Sequence, residues 1–343
     1  MKIVINQIMT VSSPPHMYGT DTIEARMRDV LISLAPAFCF SLYHYGIKAF
    51  YTTAIAVIAA LFAEYIYQRV MNKPVTINDF SAAITGVLLA FNLPPDVPLW
   101  LPAVGSFFAI IVVKQLFGGL GSNFVNPALA ARAFLLASFP VYMTSWTFVN
   151  DVSTPAMPFA QAALSGHDAL ASATYLAVIK ADPSFVPKFY DFMALLFGKI
   201  GGSLGETSAF ALLIGGVYLL VKKIINWRIP VFYIGSFAVF AFIFGRFGRA
   251  DIFNGYSILF EVLNGGLIMG AFFMATDYAT SPITPGGKVV MGIGCGLITV
   301  LIRFFGGYPE GVCFSIIIMN LFVPLIDKYI RPRVYGKKIR RRV

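Results

Sequence analysis

The chain has 343 residues, of which 58% are hydrophobic and only 12% charged, with a mean hydropathy of +0.76. A soluble domain carries roughly a quarter charged residues, so this composition excludes one and points to an all-α polytopic membrane protein. The formal net charge of +10 is not a nucleic-acid footprint, because much of it sits in the tail Lys328, Arg331, Arg333, Lys337, Lys338, Arg340, Arg341 and Arg342. Such a tail suits the anionic lipid of a cytoplasmic membrane surface.

Residues 1–28 hold no continuous apolar run, so no cleavable signal peptide is expected. A spanning helix needs roughly 17–25 mostly apolar residues. In chain order the candidates are 29–45, 49–70, 80–93, 99–117, 126–143, 206–222, 230–247, 257–275, 288–306 and 311–327. The third is short and ends at Pro94-Pro95, which marks a partial span covered by protein rather than lipid. An even number of spans puts both termini on one side, and the basic tail makes that side cytoplasmic. Arg26, Arg28, Arg69, Lys73, Lys222, Lys223 and Arg228 agree, while Arg246 and Arg249 oppose. The interval 144–205 then lies outside. The expected organisation is a membrane repeat over 1–143, an extracytoplasmic loop over 144–205, a second membrane repeat over 206–330 and a basic cytoplasmic tail over 331–343.

A repeat is visible in the residues themselves. Leu116-Phe117-Gly118-Gly119 resembles Phe304-Phe305-Gly306-Gly307, with Lys114 and Arg303 just upstream, and Pro94 aligns with Pro282 at the same offset of 188. Two five-span halves are implied. An odd number of spans inverts the second half relative to the first, as in many transport proteins.

Chemistry-bearing residues fall in a few places. Gly118-Gly119-Leu120-Gly121-Ser122-Asn123-Phe124-Val125-Asn126-Pro127 joins two spans on the cytoplasmic side. Its glycines admit close approach, its Asn amides offer donors and acceptors, and Asn126 is placed to cap a helix with Pro127 in the first turn. Asp277 to Pro285 forms a stiff polar turn after the eighth span. Glu64, Arg132 and Glu261 lie in or near apolar spans, where ionisable groups are paired or functional; Glu64 is close enough to a helix end to snorkel. Cys39, Cys295 and Cys313 read as small buried hydrophobes with no metal-ligand spacing, and the three histidines form no cluster. No Ser–His–Asp set, P-loop or Rossmann glycine pattern is present, so no catalytic or metal-binding residue is assigned. Within 144–205, Asp168-Ala-Leu-Ala-Ser-Ala-Thr174-Tyr-Leu places one hydroxyl among small residues on a soluble-side loop.

Over nearly its whole length the chain resembles the NqrB/RnfD family. That family holds the RnfD component of the Rnf complex and the NqrB component of the sodium-translocating NADH:quinone reductase. The blocks that carry the resemblance are Ser13 to His16, Gly118 to Pro127, Asp168 to Leu176, Gly202 to Ser208, Thr276 to Pro285 and Phe305 to Gly311. The resemblance implies a urea-transporter-like fold of about ten transmembrane helices in two inverted five-helix repeats. It implies FMN joined through its phosphate to the hydroxyl of Thr174 by a dedicated flavin transferase, with Asp168, Ser172 and Ala173 matching the recognition pattern. Ala171 and Ser172 depart from the commoner Ser-Gly there. A second, non-covalent riboflavin is implied near Gly118, Gly119, Asn123 and Asn126. The implied activity is electron relay in a ferredoxin:NAD oxidoreductase of the inner membrane that moves Na⁺ or H⁺, with the other Rnf subunits (A, B, C, E and G) and membrane lipid as partners. Glu261 and Asp277 are candidates for its ion path. The alternative is a redox-silent channel or transporter of the urea-channel-like class.

Overall fold

The computed structural model describes residues 22–144, 195–196, 202–206, 208–245, 255–307 and 310–331. The described residues are helical and turn, with no strand among them. In chain order the helices are α1 (Ile23–Tyr45), α2 (Ile47–Val70), α3 (Ser81–Phe91), α4 (Trp100–Phe107), α5 (Pro127–Ser138), α6 (Pro140–Thr144), α7 (Ala209–Val221), α8 (Arg228–Gly245), α9 (Gly255–Leu263), α10 (Leu267–Met269), α11 (Pro285–Phe305) and α12 (Val312–Tyr329). Two of them run on as π-helix, α4 through Phe108–Gln115 and α10 through Gly270–Met274. Ile47–Val70, Pro285–Phe305 and Val312–Tyr329 are each long and apolar enough to cross a membrane unaided; Ser81–Phe91, Trp100–Gln115, Pro127–Ser138, Ala209–Val221 and Arg228–Phe244 are apolar but shorter.

Local chemistry explains the ends. Thr22 caps α1 by accepting from the Ala25 amide, so the helix starts six residues before the apolar run. Asn126 caps α5 by accepting from the amides of Ala128 and Leu129 at 3.0 and 3.3 Å, with Pro127 in the first turn as the sequence predicts. The single span expected over 126–143 is broken, because Pro140 cannot donate to a continuing ladder: α5 ends at Ser138 and α6 begins at Pro140. The span expected over 257–275 is also two pieces. Asn264-Gly265-Gly266 separates α9 from α10, and Gly265 takes a left-handed φ of 72° that favours glycine. The predicted short third element is there, ending at Phe91 before Pro94-Pro95.

Inside lipid the hydrophobic effect does not favour helix over lipid contact, so association rests on close packing through small residues. Gly86 lies against the backbone of Val57, Gly215 against the Ser33 carbonyl, and Gly292 and Gly296 against the backbone of α8. These contacts fix helix directions. Ser106 donates to the Ala56 carbonyl at 2.8 Å while Lys114 meets Glu64, so α2 and α4 run parallel. Gly292 against Ile229 and Phe305 against Phe244 make α8 and α11 parallel as well. By contrast α1 and α7 are antiparallel, with Tyr218 donating to Asp29 at 3.0 Å and Gly215 beside Ser33. Antiparallel too are α5 and α12, where Cys313 donates to the Leu129 carbonyl and the Asn126 amide meets Asn320. The core sits where α3, α5 and α10 meet, around Leu89, Phe91, Leu129 and Met269. Cys295 and Cys313 are buried as expected, but Cys39 is exposed on the outer face of α1, a face the composition assigns to lipid rather than to core.

Candidate functional site

A cavity of about 100 Å³ opens at one end of the bundle. That is several times the roughly 10–15 Å³ that one water needs. Its wall is drawn from α1, α3, both π-helices, the Leu120–Pro127 turn, α7 and the Thr276–Tyr278 turn. Lysine and aspartate face it among apolar side chains, Lys114 from one π-helix and Asp277 beyond the other, with Ile84, Leu88, Phe272 and Phe273 between. Both π segments carry i→i−5 bonds, Leu116 N–H to Ile111 at 3.0 Å and Ala275 N–H to Gly270 at 2.7 Å. Such widened turns are frequent at functional sites.

The glycine turn takes left-handed φ of 122°, 95° and 87° at Gly118, Gly119 and Gly121. Those angles need residues without a Cβ. The Asn amides are less free than the sequence implied. Asn123 donates to the Val125 carbonyl at 3.1 Å, and Asn126, beyond capping α5, donates to the Met274 carbonyl at 3.2 Å. Both line the cavity, but Asn126 is largely committed to joining the two halves of the chain.

Asp277 lies at the same cavity. Burial pushes its carboxyl above the usual 3.8, and hydrogen bonds from Thr280, Asn123 and the backbone of Ala279 and Tyr278 do not cancel that rise. Glu261 is elsewhere. It is buried on α9 and meets Arg303 through its carbonyl at 2.6 Å and its carboxylate at 3.3 Å, with the guanidinium stacked over Phe237. The two acids named as ion-path candidates are therefore not brought together. Thr174, Asp168, Ser172 and Ala173 lie outside the described residues.

Two polar clusters come together only in three dimensions, and the sequence alone did not assemble them. Glu64 does not snorkel at a helix end: it is 1% exposed. One of its oxygens accepts from Lys114 at 2.8 Å, Gln115 at 2.6 Å and Gln68 at 3.4 Å, and Lys114 also donates to Ser81 at 2.6 Å. Lys114 inside an apolar run was the available signal, since a lone buried ammonium demands a partner. The second cluster lies at the opposite end of α3. Arg132 donates to Asn92 at 3.1 Å and pairs with Glu310, and the Glu206 carboxylate adjoins both. The arrangement has a counterpart 188 residues on, where Asn320, in the amide orientation that satisfies its neighbours, donates to the Thr280 carbonyl at 3.1 Å.

Comparison with known proteins places this architecture. The chain is 46% identical over 96% of its length, and 95% of the relative's, to the D component of the Na⁺-translocating ferredoxin:NAD⁺ oxidoreductase complex of Acetobacterium woodii. It is 42% identical over 96% of its length, and 97% of the relative's, to the D component of the proton-translocating ferredoxin:NAD⁺ oxidoreductase complex of Clostridium ljungdahlii. Identity to the D component of the ion-translocating oxidoreductase complex of Halorhodospira halophila is 36%, over 94% of each chain. Residues 10–336 match the NQR2, RnfD, RnfE family along almost the entire sequence, and the chain belongs to that family.

Proposed function

We propose that this chain is the flavin-bearing membrane subunit of a ferredoxin:NAD⁺ oxidoreductase complex, relaying electrons between neighbouring subunits while the assembly moves Na⁺ or H⁺ across the inner membrane. The observation that carries the reading is near-full-length similarity, at 46% and 42% identity, to two proteins named as components of such complexes. The chain is not catalytic alone. Its partners are the other Rnf subunits, with a flavin transferase acting during maturation.

The proposed attachment point is Thr174, with FMN held by a phosphoester to its hydroxyl and Asp168, Ser172 and Ala173 read by the transferase. A tether keeps a one- or two-electron carrier in place while the protein tunes it through contacts and burial. The cavity at Lys114 and Asp277 suits a second, non-covalent flavin. Phe272, Phe273, Ile84 and Leu88 offer apolar surface for a flat ring system, and Lys114, Asn123 and Asp277 add polar groups to the same wall. Lys114 has three N–H donors, of which Glu64 and Ser81 take two, leaving one for a ring carbonyl.

In this reading the two five-helix halves are inverted copies. Parallel α2/α4 and α8/α11, antiparallel α1/α7 and α5/α12, and the paired contacts Arg132–Asn92 and Asn320–Thr280 support it. Arg69, in the last turn of α2, and Lys73, Lys222 and Lys223, after helices that end on the cavity side, favour that side as cytoplasmic. The test is in-gel flavin fluorescence of the denatured chain coexpressed with the transferase. Thr174→Val should abolish the signal, and a wild-type chain without covalent flavin beside an active transferase would refute the reading.

A further inference from the structure

The cluster at the far end of α3 sets one cation against two carboxylates. Arg132, on α5, pairs with Glu310 just ahead of α12, and Glu206, in the turn before α7, stands against Glu310 and beside Arg132. Among the described residues, the other polar groups nearby do not change the count. Asn92 is neutral and accepts from Arg132, Tyr45 on α1 donates to the Gly202 carbonyl at 3.2 Å, and Cys313 on α12 donates to the Leu129 carbonyl. Asp96 is engaged by Lys48 at 2.5 Å. With both glutamates ionised, the cluster would therefore carry an uncompensated negative charge.

An ionised carboxylate can only accept hydrogen bonds, so two that touch repel unless one carries a proton. The surroundings add no further cation among the described residues, and their donors do not reach every carboxylate oxygen. The Glu206 Oε1 atom is buried without a partner, close against Gly266, where an added Cβ would sit 2.7 Å from it. Ser203 is 0% exposed, and its hydroxyl lies toward the Glu206 carboxylate. Glu310 has a side chain 13% exposed and Glu206 is likewise half-buried, so the pair is within reach of the outside.

We propose that Glu206 and Glu310 hold one proton between them, making the Arg132 cluster a proton-binding site at the end of α3 remote from the cavity. Uptake of a proton from water leaves the cluster neutral, and its release leaves the cluster with one negative charge. Occupancy thus follows the electric field at that point: approaching positive charge expels the proton, and approaching negative charge retains it. This assignment does not depend on the flavin reading.

The experiment is infrared spectroscopy on the assembled complex containing the full chain, with glutamate ¹³C-labelled at the side-chain carboxyl. The wild type at neutral pH should show a labelled, protonated-carboxyl C=O band that shifts in D₂O. Glu206→Gln, which mimics the protonated form, should lose that band while the complex still assembles. Glu206→Asp should move it to the unlabelled position, because the new carboxyl carries no ¹³C. Absence of a labelled band in the wild type overturns the proposal without any variant, and so does a band unchanged in both Glu206→Gln and Glu310→Gln.

Discussion

Replacing Lys114 by Met removes the ammonium from the Glu64 cluster while keeping most of the stem's volume. Glu64 is 1% exposed and would keep only the amides of Gln115 and Gln68. Stripping one partner from a buried ion pair costs about 3–5 kcal/mol, because the remaining charge stays desolvated. The two amide bonds survive in the variant, which puts the expectation near the lower end, about 3 kcal/mol. The partner variant Glu64→Gln leaves Lys114 bonded to Ser81 and should also destabilise. Joined with Lys114→Met, however, it removes both charges, and the double variant should recover most of the loss, with a coupling of about 2 kcal/mol or more. The assay is a double-mutant cycle on unfolding midpoints in mixed micelles. Additive losses, or a Lys114→Met protein as stable as wild type, would refute the claim that this lysine is held as a buried counter-ion.

Three further outcomes follow from the geometry. The folded form binds a proton at Asp277 more readily than the unfolded chain, so this group's contribution to stability is fully present below the unfolded value near 3.8 and is lost as pH rises through the raised one; Asp277→Asn should flatten that decline in a thermal-melt series across pH. An added Cβ at Gly296 would meet Ser236 and come within 2.8 Å of the Phe237 backbone nitrogen, so Gly296→Val should force α8 and α11 apart and cost at least about 1–3 kcal/mol, read as a lower melting point and reduced membrane yield. Asn126→Ala should cost about 0.5–2 kcal/mol for the lost cap, and hydrogen exchange should accelerate at the first turn of α5; unchanged exchange there would contradict the capping role.

Much of this fold could be read from hydropathy, but only where one property decides. Apolar runs located the helices, the Pro94-Pro95 pair ended α3, and Asn126-Pro127 announced a helix start, because each is a local effect. The breaks at Pro140 and Gly265 were smoothed over because their neighbours are apolar enough to bridge the run. Glu64 was misjudged for a related reason: its place near a helix end says nothing about the lysine fifty positions on that covers it. At the candidate cavity, the glycine turn and Asp277 were both legible. Their meeting was not, since it depends on two halves of the chain folding against each other. Glu206 and Glu310 stood in blocks already noticed, yet only the tertiary structure sets them around Arg132.

With Gly292 and Gly296 laid against the backbone of α8, that helix and α11 approach more closely there than a full layer of side chains would allow. Such a seam resists sliding of one helix along the other, and α2 with α4, joined through Ser106 and Lys114, forms a second tight pair. The chain is non-helical at 92–99 and 264–266, where relative motion of such pairs meets least resistance. Both joints adjoin the Arg132 cluster, so a shift of either pair would be felt where a single arginine faces two acids.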